Sequence, residues 1–275
     1  MTGFGGINKG CPVHDHGGMI SHVSINTKAM GDEISRDHFE PEDYLLFQRK
    51  LEQEMDFVRR LFDEKRFDQQ SRKIGYELEL CLLDQQGFPA SCNRQVLQKA
   101  HNALLTVELA RFNLEINGNV FAVEKSVFAK IQQDLSELYQ QVEQAAASQG
   151  AEVGLFGILP SLDISHLDAE GYMSELYRYR LLNQRLMEMR ERPVQLDIKG
   201  AERLQLEKQD VMLEALGTSL QVHYQMPFVE AVDSYHAALW ASMAALAVSA
   251  NSPLVLHKVC WQESRIAIFK QAVDT

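Results

Sequence analysis

Three stretches of the chain alternate apolar and polar residues with the period of two that marks a strand with unlike faces. In 73–84, Tyr76, Leu78, Leu80 and Leu82 fall on one face, and Gly75, Glu77, Glu79 and Cys81 on the other. In the second half of 107–120, Phe112, Leu114 and Ile116 alternate with Asn113, Glu115 and Asn117. In 218–227, Leu220, Val222, Tyr224 and Met226 alternate with Gln221, His223 and Gln225.

Between these strands the period lengthens to that of a helix. Pro41, Glu42 and Asp43 suit a first helical turn. Behind them Tyr44, Phe47, Leu51, Met55, Val58 and Phe62 recur every three or four positions, which predicts one buried stripe. A second helix is predicted over 121–149, with Leu135, Leu138 and Val142 inward and Gly150 closing it as a C′ glycine. A third spans 174–191, with Tyr177, Leu181 and Met189 suited to the core. A fourth, 229–250, is apolar around most of its circumference, which predicts burial, and it stops before Pro253. A short helical stretch over 94–105, a buried strand over 151–161 and a short strand followed by a polar linker and a short helix over 193–216 complete the pattern. Strands and helices mixed in this way read as an α+β fold.

Composition narrows the function classes. A chain of 275 residues with 45% hydrophobic and 24% charged residues reads as globular. The net charge is −11 and no Lys/Arg block stands out, which argues against nucleic-acid partners. No apolar run is long enough to span a membrane, so no membrane partner is expected. The N-terminus lacks the apolar segment of a secretory signal, and Cys11, Cys81, Cys92 and Cys260 follow no framework spacing. Both point to reduced thiols and a cytoplasmic location. Residues 1–40, rich in Gly and His, read as a flexible tail ahead of a domain over 41–275. Cys11, His14 and His16 could bind a transition metal, but three ligands with no second cluster make a weak site.

The chemistry gathers on the polar faces. Glu77 and Glu79 lie side by side on one face, with Cα atoms roughly 6.5–7 Å apart. Like charges so close raise each other's pKa unless they share a cation, and carboxylate oxygens suit magnesium or manganese. The competing reading is a merely solvated face. Glu115 stands on a second polar face, and Glu108 precedes it by seven residues. If the chain bends between them, both carboxylates can meet one cavity; one straight strand would part them. His223 and Gln221 could complete a cation site or touch a phosphate, and Arg178 or Arg180 could meet a substrate anion.

The stretches GYELEL (75–80), ELARFNLEING (108–118), LFGILPS (155–161), RYRLL (178–182), SLQVHYQ (219–225), SANSPL (249–254) and ESRIAIF (263–269) occur in the order found in the glutamate–cysteine ligase family. The chain resembles that family, and the wider glutamine synthetase-like carboxylate–amine ligases, from about residue 43 to 275. The resemblance implies a curved, mainly antiparallel sheet backed by helices, and a domain that continues beyond this chain's last residue. It implies that ATP and Mg²⁺ (or Mn²⁺) activate a glutamate carboxylate as an acyl phosphate, which an amine then attacks, cysteine being the default acceptor. A different amine acceptor, or a non-catalytic nucleotide-binding relative, stays open. Carried over by motif, Glu77, Glu79, Glu115 and Glu108 would hold metal. Gln221 and His223 would touch metal or ATP phosphate, and Arg265 would neutralise the phosphate or the substrate carboxylate. Many bacterial carboxylate–amine ligases carry His-x-His and the plant-type glutamate–cysteine ligases Gln-x-Asn; with Gln221-Val222-His223 this chain sits between the two, and the resemblance leaves the role of Gln221 open. The implied partners are small-molecule substrates; oligomeric state is open, a homo-oligomer included.

Overall fold

The computed structural model describes residues 33–190 and 192–273. The 1–32 part of the proposed tail, with Cys11, His14 and His16, lies outside them. Helix α1 (Pro41–Asp63) leads into β1 (Lys73–Leu83), then α2 (Asn93–Ala100), β2 (Leu105–Val107), β3 (Asn113–Asn117) and β4 (Phe121–Ala122). Next come α3 (Val127–Ala147), β5 (Glu152–Gly154), the one-turn α4 (Ala169–Tyr172) and α5 (Tyr177–Arg190). The hairpin β6 (Val194–Lys199) and β7 (Arg203–Lys208) precedes β8 (Leu220–Gln225), α6 (Ala231–Ser249) and α7 (Arg265–Val273).

The fold is mixed, with antiparallel sheets and helices. Strand β1 is the axis of a six-stranded sheet. Its first half pairs with β8 on one edge and touches β4 on the other, and its second half pairs with β3 and β5. Strand β2 lies outside β3. The apolar face of β1 (Tyr76, Leu78, Leu80 and Leu82) packs with Leu114 and Ile116 of β3 against α2 and α3. The polar face is not left to water. A second core, built from 158–173, the β6–β7 hairpin, 211–216 and α7, roofs one end of it and takes in Cys81 and Phe112. The alternation along β1 thus separates two buried environments, one apolar and one polar.

Two helices depart from the burial their sequences predict. Helix α1 forms where the stripe places it but buries no residue, and Phe47 is 65% exposed. It touches the body near its ends, where Arg185 sits over the Tyr44 ring and Phe62 packs edge-on against Phe228. Helix α6 also buries nothing; Trp240 is 72% exposed. Periodicity and hydrophobicity record that a helix has apolar surface to cover. They do not guarantee that the described part of the chain supplies the cover.

Smaller differences have local causes. In α5, Tyr177 and Met189 face outward, while Tyr179, Leu186 and Met187 meet the core. The helix turns its arginine-rich side partly inward, so its burial does not follow its weak apolar stripe. The strand predicted over 151–161 shortens to β5, because the chain leaves the sheet to place Ile158 and Leu159 in the second core. The linker after β6 is itself a strand, β7, and α3 starts only at Val127, after β4.

Candidate active site

The chain does bend between Glu108 and Glu115. Strands β2 and β3 form an antiparallel pair with Thr106 opposite Glu115, so Glu108 reaches the end of the same polar face. A buried clamp holds the bend. Asn93, at the start of α2, donates from Nδ2 to the carbonyls of Ala110 and Asn113 and to Ser174 Oγ, at 3.0–3.1 Å. Ser174 Oγ in turn donates to the Glu108 carbonyl at 2.5 Å. Tyr179 Oη donates to the Val107 carbonyl at 3.2 Å.

Strand register then orders the polar side chains into rows. One row runs Thr106, Glu115, Glu79 and on to Ser219, and the next runs Asn117, Glu77 and Gln221. Glu79 and Glu115 stand directly opposite across β1 and β3. Directly opposed side chains have Cβ atoms about 4.5–5.5 Å apart, and like charges there are destabilising.

Each carboxylate has a different surrounding. Glu115, 8% exposed, accepts from Thr106 Oγ1 at 3.1 Å and from Asn117 Nδ2 at 2.8 Å. Glu79 accepts from the Ser219 backbone N–H at 2.9 Å and from its hydroxyl at 3.1 Å. Glu77, 7% exposed, lies 3.3 Å from His223 Nε2, an ion pair when the imidazole is protonated. Glu108 accepts from the backbone N–H of Leu109, at 3.2 Å. Burial pushes the Glu79 carboxyl up to about 7, and the Glu115 charge adds to that. The Glu108 carboxyl is raised too, first by burial and then by the charges of Glu115 and Glu79. Three acids therefore crowd each other.

Glu79, Glu108, Gln221 and Arg265 line one cleft of about 1160 Å³. Arg265 is held in a fork: Nε and Nη2 donate to the two Glu263 carboxylate oxygens at 2.5 and 2.6 Å, and Nη1 to the Thr218 carbonyl at 2.7 Å. Ser252 Oγ donates to Glu263 Oε1 at 2.7 Å and fixes the fork from behind. Arg178 lies against Tyr179, 4.9 Å from its ring centre, and Tyr179 lines the cleft beside Glu108. Arg180 turns to the exterior, 3.9 Å from Asp37. Of the residues singled out by sequence, the fold brings the four glutamates, Gln221, His223 and Arg265 to one sheet face and its rim. Arg178 stands behind Tyr179, and Arg180 lies apart.

Ser219, Thr106 and Glu263 join this arrangement although sequence reasoning gave them no role. Their signal was position: each lies within a motif or directly before a strand already counted, but its partner comes from another strand. Asn113 adds a further oxygen. It is 3% exposed, lines the cleft, and its side-chain oxygen is buried with no hydrogen-bond partner among the described residues.

Among the described residues, no three His, Cys, Asp or Glu side chains already converge as a metal cage. The donor types nevertheless fit magnesium or manganese: crowded carboxylate oxygens and an orphaned amide oxygen are hard ligands. Among the described residues, no helix is long and apolar enough to cross a membrane.

The candidate site is thus a mixed sheet whose polar face crowds buried acids beside a clamped arginine. The profile of glutamate–cysteine ligase family 2 matches residues 73–275, from the first residue of β1 onward. The chain belongs to that family. A comparison with curated proteins returns no match.

Proposed function

We propose that this chain carries an ATP- and Mg²⁺-dependent carboxylate–amine ligase site of the glutamate–cysteine type, on a glutamine synthetase-like sheet. A carboxylate, glutamate by default, takes the γ-phosphoryl group of ATP, and an amine displaces phosphate from the acyl phosphate to give an amide. The observation that carries this reading is the opposition of Glu79 and Glu115 next to Glu108, three buried acids crowded on one sheet face. Glu77, Glu79, Glu108 and Glu115 would hold Mg²⁺, which when bound supplies charge neutralisation for phosphoryl transfer.

The chain's own groups do the rest. Arg265 offers a fixed positive charge on the cleft wall, held in orientation by Glu263 and Thr218 so that little reorganisation is needed when negative charge develops nearby. Gln221 and His223, on the neighbouring strand, would orient phosphate oxygens at the rim, in keeping with their register beside Glu77 and Gly75. Arg178 lies against Tyr179, which lines the cleft, and would add positive charge behind that ring. We place the reaction in the reducing cytoplasm, in keeping with the free thiols of Cys81, Cys92 and Cys260.

A calorimetric titration with Mg·ATP tests the reading. Wild type should bind, and Glu77→Gln, folded by circular dichroism, should not. Equal Mg·ATP affinity in the two would remove the metal role of β1.

A further inference from the structure

Residues 107–111 form a wall with a cavity on each side. Glu108, Leu109 and Ala110 line the cleft, while Val107 and Arg111 line a second cavity of about 230 Å³ that shares no lining residue with it. Asn93 and Ser174, the clamp on the Glu108 carbonyl, stand in the wall of this second cavity. The ligase reading gives it no work.

Its charge runs against that of the chain. The chain carries −11, yet the charged residues lining the cavity are Arg94, Arg111 and Glu175. Arg94 pairs with Glu175 at 3.2 Å, and both side chains are more than half exposed, so the pair is weak. Arg111 is left over. Its backbone is pinned on both sides: its N–H donates to the Tyr172 carbonyl at 2.7 Å, and its carbonyl accepts from the Asn93 N–H at 3.1 Å. Arg111 is partly buried and has no carboxylate partner among the described residues. Its guanidinium makes one long hydrogen bond, from Nη1 to the Gly171 carbonyl at 3.4 Å. A guanidinium carries five donors in a planar fork, so most of this one is unused among the described residues.

The Asn93–Arg111 bond also fixes what stands nearby. Along α2, Gln95 and Gln98 follow Asn93 by about 3 and 7.5 Å of helical rise, and both line the same cavity. A carboxylate or phosphate takes two parallel bonds from a guanidinium fork. Hydroxyl groups on the same small molecule would meet the two amides, which both donate and accept.

We propose that this cavity is an effector site for a small hydroxylated oxyanion, carboxylate or phosphate, held by Arg111 with Gln95 and Gln98, and that binding there braces the Glu108 bend. The anion ties Arg111 to α2, the helix from which Asn93 already holds the bend. The bend then has less freedom to open, and the ordering that a ligand of Glu108 must otherwise impose is already made. The effect on Mg²⁺ rests on the ligase reading of Glu108; the binding of the anion does not.

The test uses glycerol 3-phosphate, glycerate and glycerol, which share a three-carbon body and differ in the anion. Each is titrated calorimetrically in metal-free buffer into wild type and Arg111→Met, and hydrogen exchange is followed over 107–113. At least one of the two anions should bind wild type and glycerol should not, and Arg111→Met should weaken that binding by about tenfold or more. Which anion binds more tightly identifies the group as phosphate or carboxylate. Exchange over 107–113 should slow on binding, and the anion should raise Mg·ATP affinity by about fivefold. Without the anion, Arg111→Met should fold and bind Mg·ATP as wild type does, because it loses one long, exposed hydrogen bond. Binding of neither anion, or equal binding to Arg111→Met, refutes the site. Binding that leaves exchange unchanged, or leaves an existing Mg·ATP affinity unchanged, refutes the bracing. An anion that slows exchange in a chain that ignores Mg·ATP would uphold this site and refute the ligase. Mg·ATP binding with neither anion bound would do the reverse.

Discussion

Replacing Glu79 by Gln should make the metal-free protein more stable. The carboxyl is raised from 4.5 to about 7, because burial and the Glu115 charge disfavour its ionised form. Carrying that difference through at 1.36 kcal/mol per pKa unit gives about 3 kcal/mol of penalty once the group is charged. Because the folded value lies above the unfolded one, the sign is fixed. The protonated group's contribution is fully present below about pH 4.5 and is lost as pH rises through about 7. Gln keeps the local bonds: its oxygen can accept from the Ser219 N–H, and its amide can donate to the Ser219 hydroxyl, which rotates to accept. In metal-free buffer near pH 8, Glu79→Gln should gain about 2–3 kcal/mol, raising Tm by about 4–12 °C for a domain of this size. Near pH 4.5 the two proteins should melt together. Added Mg²⁺ should raise the wild-type Tm and leave the variant's nearly unchanged, since binding to the folded state alone stabilises it. Thermal melts at the two pH values, with and without Mg²⁺, read all of this. A variant no more stable than wild type near pH 8, or a gap that ignores pH, would refute the argument that burial strains this carboxylate.

Other positions make separate predictions. Arg265→Met should destabilise the fold by about 3 kcal/mol in denaturant titration, because Glu263 is left buried without its counter-charge. Adding Glu263→Gln should restore more than half of that loss. Asn93→Ala removes the donor shared by three acceptors at the 108–113 bend, and should cost about 2–3 kcal/mol by the same assay. Trp240→Ser, on exposed α6, should change stability by less than about 0.5 kcal/mol. A loss of several kcal/mol there would mean that α6 is covered.

Glu77, Glu79 and Glu115 could be placed on polar strand faces from alternation alone, because successive side chains of a strand must point to opposite sides. The same rule predicted β8 with Gln221 and His223 on one side. Whether Glu108 joins them was not decidable, since seven residues allow either a straight strand or a turn. The turn is held by Asn93 and Ser174, which come from outside that segment. Arg265 was recognised through its motif, but its orientation depends on the Thr218 carbonyl, distant in the chain. Glu214, on the cleft wall, gave no signal at all: a lone glutamate before two apolar residues looks the same whether it faces water or a cleft.

Local pattern therefore showed which residues share a face, because backbone geometry gives strands and helices their side-chain periods. The order of the motifs, not composition or geometry, pointed to the family. What covers each face is a different matter. The sheet's polar side became a cleft because remote segments, 158–173, β6–β7 and α7, roofed it. The apolar sides of α1 and α6 stayed open, because no described segment packs over them. Burial, and with it the raised pKa of Glu79 and Glu108, is a property of contacts between distant parts of the chain. Periodicity can state that a face needs a partner, but only packing supplies one.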